Sequence, residues 1–138
     1  MSKKKTIAVI GSGTMGNGIA HVAALSGYKV FLVDIHNDLL DKAISVIAKN
    51  LQKQLEKKVI SDIQKNNALN SIKTTIEILD IKDVDLVVEA APENIDIKSK
   101  IFSSLDFICK DTAILASNTS SISITKLADQ TNRPDKVI

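Results

Sequence analysis

The run Gly11-Ser12-Gly13-Thr14-Met15-Gly16 places three glycines where the pyrophosphate of a dinucleotide can be held. Its chemistry lies in the backbone. Gly11 permits a tight turn, Gly13 lets a phosphate approach with no side chain in the way, and Gly16 lets a helix pack closely on a strand. Free N–H groups at the positive end of that helix then face the negative charge. A lone G-x-G-x-x-G is weak evidence, but here the apolar stretch Ile7 to Ile10 precedes it and a helical pattern follows. Eighteen residues past Gly16, Asp34 ends a second apolar stretch. A carboxylate there can accept hydrogen bonds from the adenosine ribose hydroxyls and repel a 2′-phosphate, and neither Ile35 nor His36 is an arginine that could bind one. The expected cofactor is NAD rather than NADP.

The elements that must position these residues are readable from periodicity. Ile7–Ile10, Val30–Val33, Leu86–Val88 and Ala113–Ala116 are almost wholly apolar, as strands buried on both faces of a parallel sheet are. A weaker strand is expected near Ile72 to Thr75, and another begins at Val137. Between them lie helical patterns: Met15 to Ser26, stopped by Gly27; a long amphipathic one from Asn37 to about Lys58, marked by Leu40, Ile44, Ile47, Leu51 and Leu55; a shorter one from Ser61 to about Leu69; and one marked by Ile97, Ile101, Leu105 and Ile108. Alternating strands and helices predict an α/β fold, a Rossmann-type doubly wound parallel sheet, with a helical hairpin inserted after the second strand.

Composition narrows the function classes. The chain of 138 residues suits one domain, 44% of it is hydrophobic, and the net charge is only +2. That balance gives no reason to expect nucleic acid as a partner, and Lys3-Lys4-Lys5 reads as a solvated terminus. Tyr28, Phe31, Phe102 and Phe107 are the only aromatics, so the core must be aliphatic. The single cysteine, Cys109, sits in an apolar stretch and reads as packing in a reducing compartment. His21 and His36 have no partner at metal-site spacing, and no segment is long and apolar enough for a membrane span. The expectation is a cytoplasmic protein with no metal and no membrane partner.

Two later segments are more discriminating. One is Val87-Val88-Glu89-Ala90-Ala91-Pro92-Glu93-Asn94, followed by Lys98; the other is Ala116-Ser117-Asn118-Thr119-Ser120-Ser121-Ile122-Ser123-Ile124. With the glycine run, these make the whole chain resemble the N-terminal half of the 3-hydroxyacyl-CoA dehydrogenase family, and in bacteria the 3-hydroxybutyryl-CoA dehydrogenases of fatty-acid and butanoate metabolism. The resemblance implies NAD bound by Gly11 to Gly16 and Asp34, with Glu93 and Lys98 at the nicotinamide-side ribose. It implies that Ser120 touches both the nicotinamide end and the reacting oxygen of an acyl-CoA substrate, and that Asn118 shapes the same loop. It places Asn50 and Lys57 near coenzyme A. Asn50, Lys53 and Lys57 do share one helix face, although spacing alone reads as a solvated face.

The family's general base is a histidine in a segment resembling G-x-H-F-F-N-P, oriented by a later glutamate, and neither His21 nor His36 can substitute. The expectation is therefore residues 1–138 as an NAD-binding domain of a longer homodimeric enzyme, with the helical substrate and dimerisation domain absent. The alternatives are a free 3-hydroxyacid dehydrogenase, or a non-catalytic NAD-sensing module, which is also a lone Rossmann unit of about this length.

Overall fold

The computed structural model describes residues 5–138, so Lys3 and Lys4 lie outside the described residues, while Lys5 is exposed. Five strands form one sheet: β1 (Thr6–Ile10), β2 (Lys29–Val33), β3 (Ile72–Thr75), β4 (Leu86–Glu89) and β5 (Ile114–Ser117). Their order is β3-β2-β1-β4-β5, with every neighbouring pair parallel. β1 is central, pairing Ile7 with Val30 on one side and with Leu86 on the other, and its Ala8 and Val9 are wholly buried. Strand order reverses at β1, which opens a crevice beyond the carboxyl ends of β1 and β4.

The helices are α1 (Thr14–Leu25), α2 (Asn37–Glu56), α3 (Asp62–Asn70), α4 (Ile95–Ile108) and α5 (Ile124–Ala128). One core joins Val9, Val30 and Leu32 of the sheet to Ala20 and Ala24 of α1, Leu40, Ile47 and Leu51 of α2, and Ala68 of α3. The other joins Ala8, Val87 and Leu115 to Phe102 and Leu105 of α4 and Leu127 of α5. Helices on both faces explain why the strands lack alternation. α2 and α3 fill the β2–β3 crossover. Ser61 and Gln64 form a reciprocal capping box that starts α3. Two buried polar side chains of α1 fasten α2: Asn17 Nδ2 donates to the carbonyl of Ala43 at 2.9 Å, and His21 Nε2 lies 2.8 Å from Gln54 Oε1. Gly27 ends α1 at φ +94°, in the left-handed region expected of a helix stop.

Some expectations change. The buried stripe of α4 runs through Lys98, Phe102 and Leu105, with Cys109 one position past the helix; Ile97 is 41% exposed. The helix is rotated because Lys98, not an apolar side chain, takes the core position. Cys109 is buried, as expected, whereas the neighbouring Phe107 is 90% exposed. α5 and the two 3₁₀ turns at Ile78–Ile81 and Pro134–Lys136 were not expected. The last of these turns is anchored by Arg133, whose buried guanidinium pairs with Asp106 at 2.8 Å and donates to the carbonyls of Asp106, Cys109, Lys110 and Ala113. It closes the carboxyl end of α4, where backbone carbonyls lack helical partners. Beyond it Val137 bridges Leu115 in parallel, where a further strand was expected to begin. Among the described residues, no helix is long and apolar enough to cross a membrane, and no cluster of His, Cys, Asp and Glu could hold a metal.

Candidate dinucleotide-binding site

The glycine turn joins the end of β1 to the start of α1, beside the loop that follows β4. Gly11 has φ +99°, and a Cβ there would lie 2.7 Å from the carbonyl oxygen of Ala90. Only glycine satisfies both demands. A Cβ on Gly16 would lie 1.8 Å from the carbonyl oxygen of Gly11 and 3.5 Å from Val9 Cγ1. The close packing expected at Gly16 is thus chiefly against the turn itself. Gly13 differs: a Cβ there would meet nothing within 4 Å. Gly13 is also the N-cap of α1, with no side-chain cap and no acidic residue in the first turn. The opening N–H groups of α1 are left without side-chain acceptors, and the space before them is open. That is a cradle for an anionic pyrophosphate.

Asp34 follows β2 and turns back onto this loop. Its Oδ2 accepts from the Ser12 N–H at 2.8 Å and the Ser12 hydroxyl at 2.5 Å, and its Oδ1 accepts from the Ile35 N–H at 2.8 Å. A surface turn residue would lack this wiring. The carboxylate is fixed against the glycine turn with about one lone pair, on Oδ1, left for a ribose hydroxyl. Asp34→Ala is expected to weaken NAD binding by roughly 1–3 kcal/mol, the scale of lost charge-assisted hydrogen bonds. Calorimetry with NAD and NADP checks this, since equal affinities in the unmutated protein would remove the discriminating role.

The other half of the crevice is built by the loops after β4 and β5. Glu89 and Lys98 are both completely buried and meet at 2.6 Å. Glu89 also accepts from the Ala91 N–H and from the Ser117 hydroxyl, each at 2.6 Å, and its backbone carbonyl accepts from the Asn118 N–H at 3.0 Å. Lys98 donates to the Ala91 carbonyl at 3.0 Å and lies 3.4 Å from Glu93. Glu93 is exposed and receives the hydroxyls of Thr119 at 2.7 Å and Ser121 at 2.9 Å. Those two hydroxyls, with Lys98 adding its charge, hold the Glu93 carboxyl below the usual range. Ser120, between Thr119 and Ser121, is exposed, and its hydroxyl has no partner among the described residues. Ser120 is not a helix cap, because Ser123 caps α5.

The structure therefore brings together Gly11 to Gly16, Asp34, Glu93, Asn118 and Ser120 along the carboxyl edge of the sheet. Lys98 lies at the base of the same loop, its ammonium engaged by Glu89, Ala91 and Glu93. Sequence reasoning assigned no role to Glu89, Ser117, Thr119 or Ser121. The signal available was Glu89 itself, an acidic residue ending an apolar strand. Asn50, Lys53 and Lys57 are not part of this edge. They are exposed along α2 and at its C-cap, and neither lysine has an ion-pair partner among the described residues. An open cleft of about 760 Å³ lies elsewhere, at the amino ends of β1 and β2, lined by Thr6, Lys29, Asn67 and Lys73.

A parallel β3-β2-β1-β4-β5 sheet, a glycine turn into an uncapped helix and an acid fixed at the end of β2 define a dinucleotide-binding Rossmann domain. The chain belongs to the family of 3-hydroxyacyl-CoA dehydrogenase NAD-binding domains, whose model matches residues 6–138. It is 48% identical over 134 residues to a 3-hydroxybutyryl-CoA dehydrogenase of Bradyrhizobium diazoefficiens, covering 97% of this chain and 46% of that protein. The corresponding protein of Clostridioides difficile is 44% identical, with 96% of this chain and 47% of that one covered. The crystal structure of (S)-3-hydroxybutyryl-CoA dehydrogenase from Ralstonia eutropha superposes with a TM-score of 0.94 at 43% identity, over 99% of this chain and 48% of that one. The chain thus spans a little under half the length of these relatives. NAD is the cofactor that the family implies, and the open cradle at Gly13 and the fixed Asp34 fit it.

Proposed function

We propose that this domain is the NAD-binding half of an enzyme that interconverts an (S)-3-hydroxyacyl-CoA and the 3-ketoacyl-CoA, with 3-hydroxybutyryl-CoA and acetoacetyl-CoA as the pair. The observation that carries the reading is the pairing of a complete dinucleotide cradle with the Ser117–Ser121 turn, which leaves one hydroxyl, that of Ser120, free beside it. NAD, when bound, supplies the acceptor for the hydride. The protein's part is to hold the pyrophosphate on the first turn of α1 and the adenosine ribose on Asp34. Glu93 lies at the nicotinamide-side ribose, and Ser120 hydrogen-bonds the reacting oxygen, with Asn118 shaping its turn. Proton removal from the substrate hydroxyl falls to a base outside these residues. A single buried cysteine agrees with a reducing compartment such as the cytoplasm, and the intact enzyme is read as a homodimer.

Assay of the complete gene product with acetoacetyl-CoA and NADH tests this. NADH oxidation that depends on the acyl-CoA is the expected result. NAD binding with no such reaction would favour a sensing module, and activity on free 3-hydroxyacids alone would favour that dehydrogenase class.

The coenzyme A end of the reading rests on Asn50 and Lys57. Lys57, exposed past the end of α2, offers an uncommitted positive charge. Lys57→Glu in the complete gene product is expected to raise the KM for acyl-CoA by about tenfold, the scale of 1.4 kcal/mol, and to leave that for NAD nearly unchanged. An unchanged acyl-CoA constant would make it an ordinary solvated lysine.

A further inference from the structure

The buried stripe of α2 ends on a polar residue. Leu40, Ala43, Ile47 and Leu51 follow one another at three- and four-residue steps and pack into the core shared with α1 and the sheet. The next position on that stripe is Gln54, which is half-buried. Its Oε1 lies 2.8 Å from Nε2 of His21, a side chain of α1 only 9% exposed. A side-chain amide oxygen only accepts, so Nε2 carries the hydrogen. One turn earlier on α1, Asn17 donates to the carbonyl of Ala43 at 2.9 Å. α1 therefore grips α2 by polar contacts at two places, with the apolar Ile47 and Leu51 between them. Apolar burial is non-directional, whereas a hydrogen bond weakens steeply as its angle closes. The two polar contacts thus fix how α2 is turned about its own axis, which aliphatic packing alone holds less tightly.

The rotation of α2 matters because of what stands beside Gln54. Asn50 lies four residues before it and Lys57 three after it, so both neighbour it on the helix surface. Both are exposed, and they are the residues of this helix that the proposed function places at coenzyme A. We propose that His21, acting through Gln54, is a positioning residue that sets the angle at which α2 presents Asn50 and Lys57 to the coenzyme A moiety. The proposal rests on that reading of Asn50 and Lys57. With Gln54 held inward by His21, its two neighbours are held outward at a defined angle. A turn of α2 would swing the Lys57 ammonium away from a bound phosphate. It would leave the glycine turn, Asp34 and the Ser120 turn in place, because none of them belongs to α2. The effect is thus one on substrate affinity, separate from cofactor binding and from the chemical step.

The test compares the complete gene product with its His21→Leu/Gln54→Leu variant, which replaces the polar pair by an apolar one and leaves neither partner unsatisfied. Two substrates are used with NADH: acetoacetyl-CoA, and the acetoacetyl thioester of N-acetylcysteamine, which keeps the reacting thioester but lacks the phosphates and adenosine. The KM for acetoacetyl-CoA should rise at least fivefold with kcat within twofold. NADH affinity, read by fluorescence titration, should stay within twofold, and so should kcat/KM for the short thioester. A KM for acetoacetyl-CoA within twofold of the unmutated value would overturn the proposal. An equal loss on both thioesters, or a matching loss of NADH affinity, would overturn it too, because either marks a general disturbance of the fold. If the double variant does not fold, Gln54→Ala breaks the bond from the half-buried side and should give the same split. His21→Gln, whose amide can replace the ring donor, should leave the acetoacetyl-CoA constant within twofold. Gln54→Ala and His21→Gln proteins that behave alike would be contrary. The Lys57→Glu variant separates the two levels of the reading. If it raises the acyl-CoA constant while the His21→Leu/Gln54→Leu variant does not, the positioning role alone fails. If it has no effect, the coenzyme A reading fails and the positioning role falls with it.

Discussion

Gly13→Val should lose at least about 100-fold in NAD affinity while its melting temperature stays within a few degrees of the unmutated protein. Backbone conformation at Gly13 is extended, with φ −67° and ψ −168°, which valine adopts readily. No atom lies within 4 Å of the Cβ it would carry, so the protein itself has room for the side chain. The ligand does not. The added isopropyl group would stand in front of the uncapped first turn of α1, where the pyrophosphate must approach its N–H donors. Each hydrogen bond to a charged group is worth about 1.5–3 kcal/mol, so losing two gives about 3 kcal/mol or more, which is on the order of 100-fold. Gly16→Val provides the opposite outcome. Its Cβ would lie 1.8 Å from the Gly11 carbonyl oxygen, a backbone atom that cannot swing away, so the turn must move or the helix must lift from β1. That variant should lose stability first and binding as a consequence. Thermal melts and NADH titrations on both variants separate the cases, and a Gly13→Val protein binding NAD at unmutated strength would dismiss the loop as the phosphate cradle.

The contrast between these glycines was only half legible in the sequence. Three glycines after an apolar strand announce the turn, but only the structure shows that Gly16 is constrained by its own loop and that Gly13 borders empty space. The strands were legible because burial on both faces makes them continuous apolar runs, and α2 because Leu40, Ile47 and Leu51 keep one face over twenty residues. α5 is five residues long, too short for periodicity to declare it. The rotation of α4 was hidden for a different reason. Periodicity reads apolar residues as core, and it therefore favoured Ile97 over Lys98, whose burial depends on Glu89 in another element. Arg133 was hidden likewise, since its partners are backbone carbonyls that have no sequence signature. What could be read was each element's own pattern, whereas the links between elements that shape the site around Glu93 and Ser120 depend on tertiary contact.

The 138-residue chain by itself is expected to bind NAD and to give no measurable turnover with acetoacetyl-CoA and NADH. Binding needs the glycine turn, the start of α1 and Asp34, and all are in place. Turnover also needs a proton exchanged with the substrate oxygen, and the described residues offer no group suited to it. His21 is buried within α1 and engaged with Gln54. His36 precedes α2 just beyond Asp34, on the β2 side of the sheet, whereas the Ser120 turn follows β5 on the other side of β1. The acid linked to the Ser120 turn is Glu93, and it is a poor base. Thr119 and Ser121 donate to its two oxygens and hold its pKa low, so it has little tendency to take a proton near neutral pH. Ser120 has a free hydroxyl but no base beside it, and an unassisted hydroxyl is a weak proton acceptor. General acid–base help is typically worth about 10²–10⁴ in rate, and a substrate held only by this domain would lose positioning as well. The assay sets the 138-residue chain beside the full-length Bradyrhizobium diazoefficiens relative, at saturating NADH confirmed by titration. A rate below one hundredth of the relative's is expected. A rate within tenfold of it would mean that a sufficient base lies among these residues, with Glu93 the first to replace by glutamine.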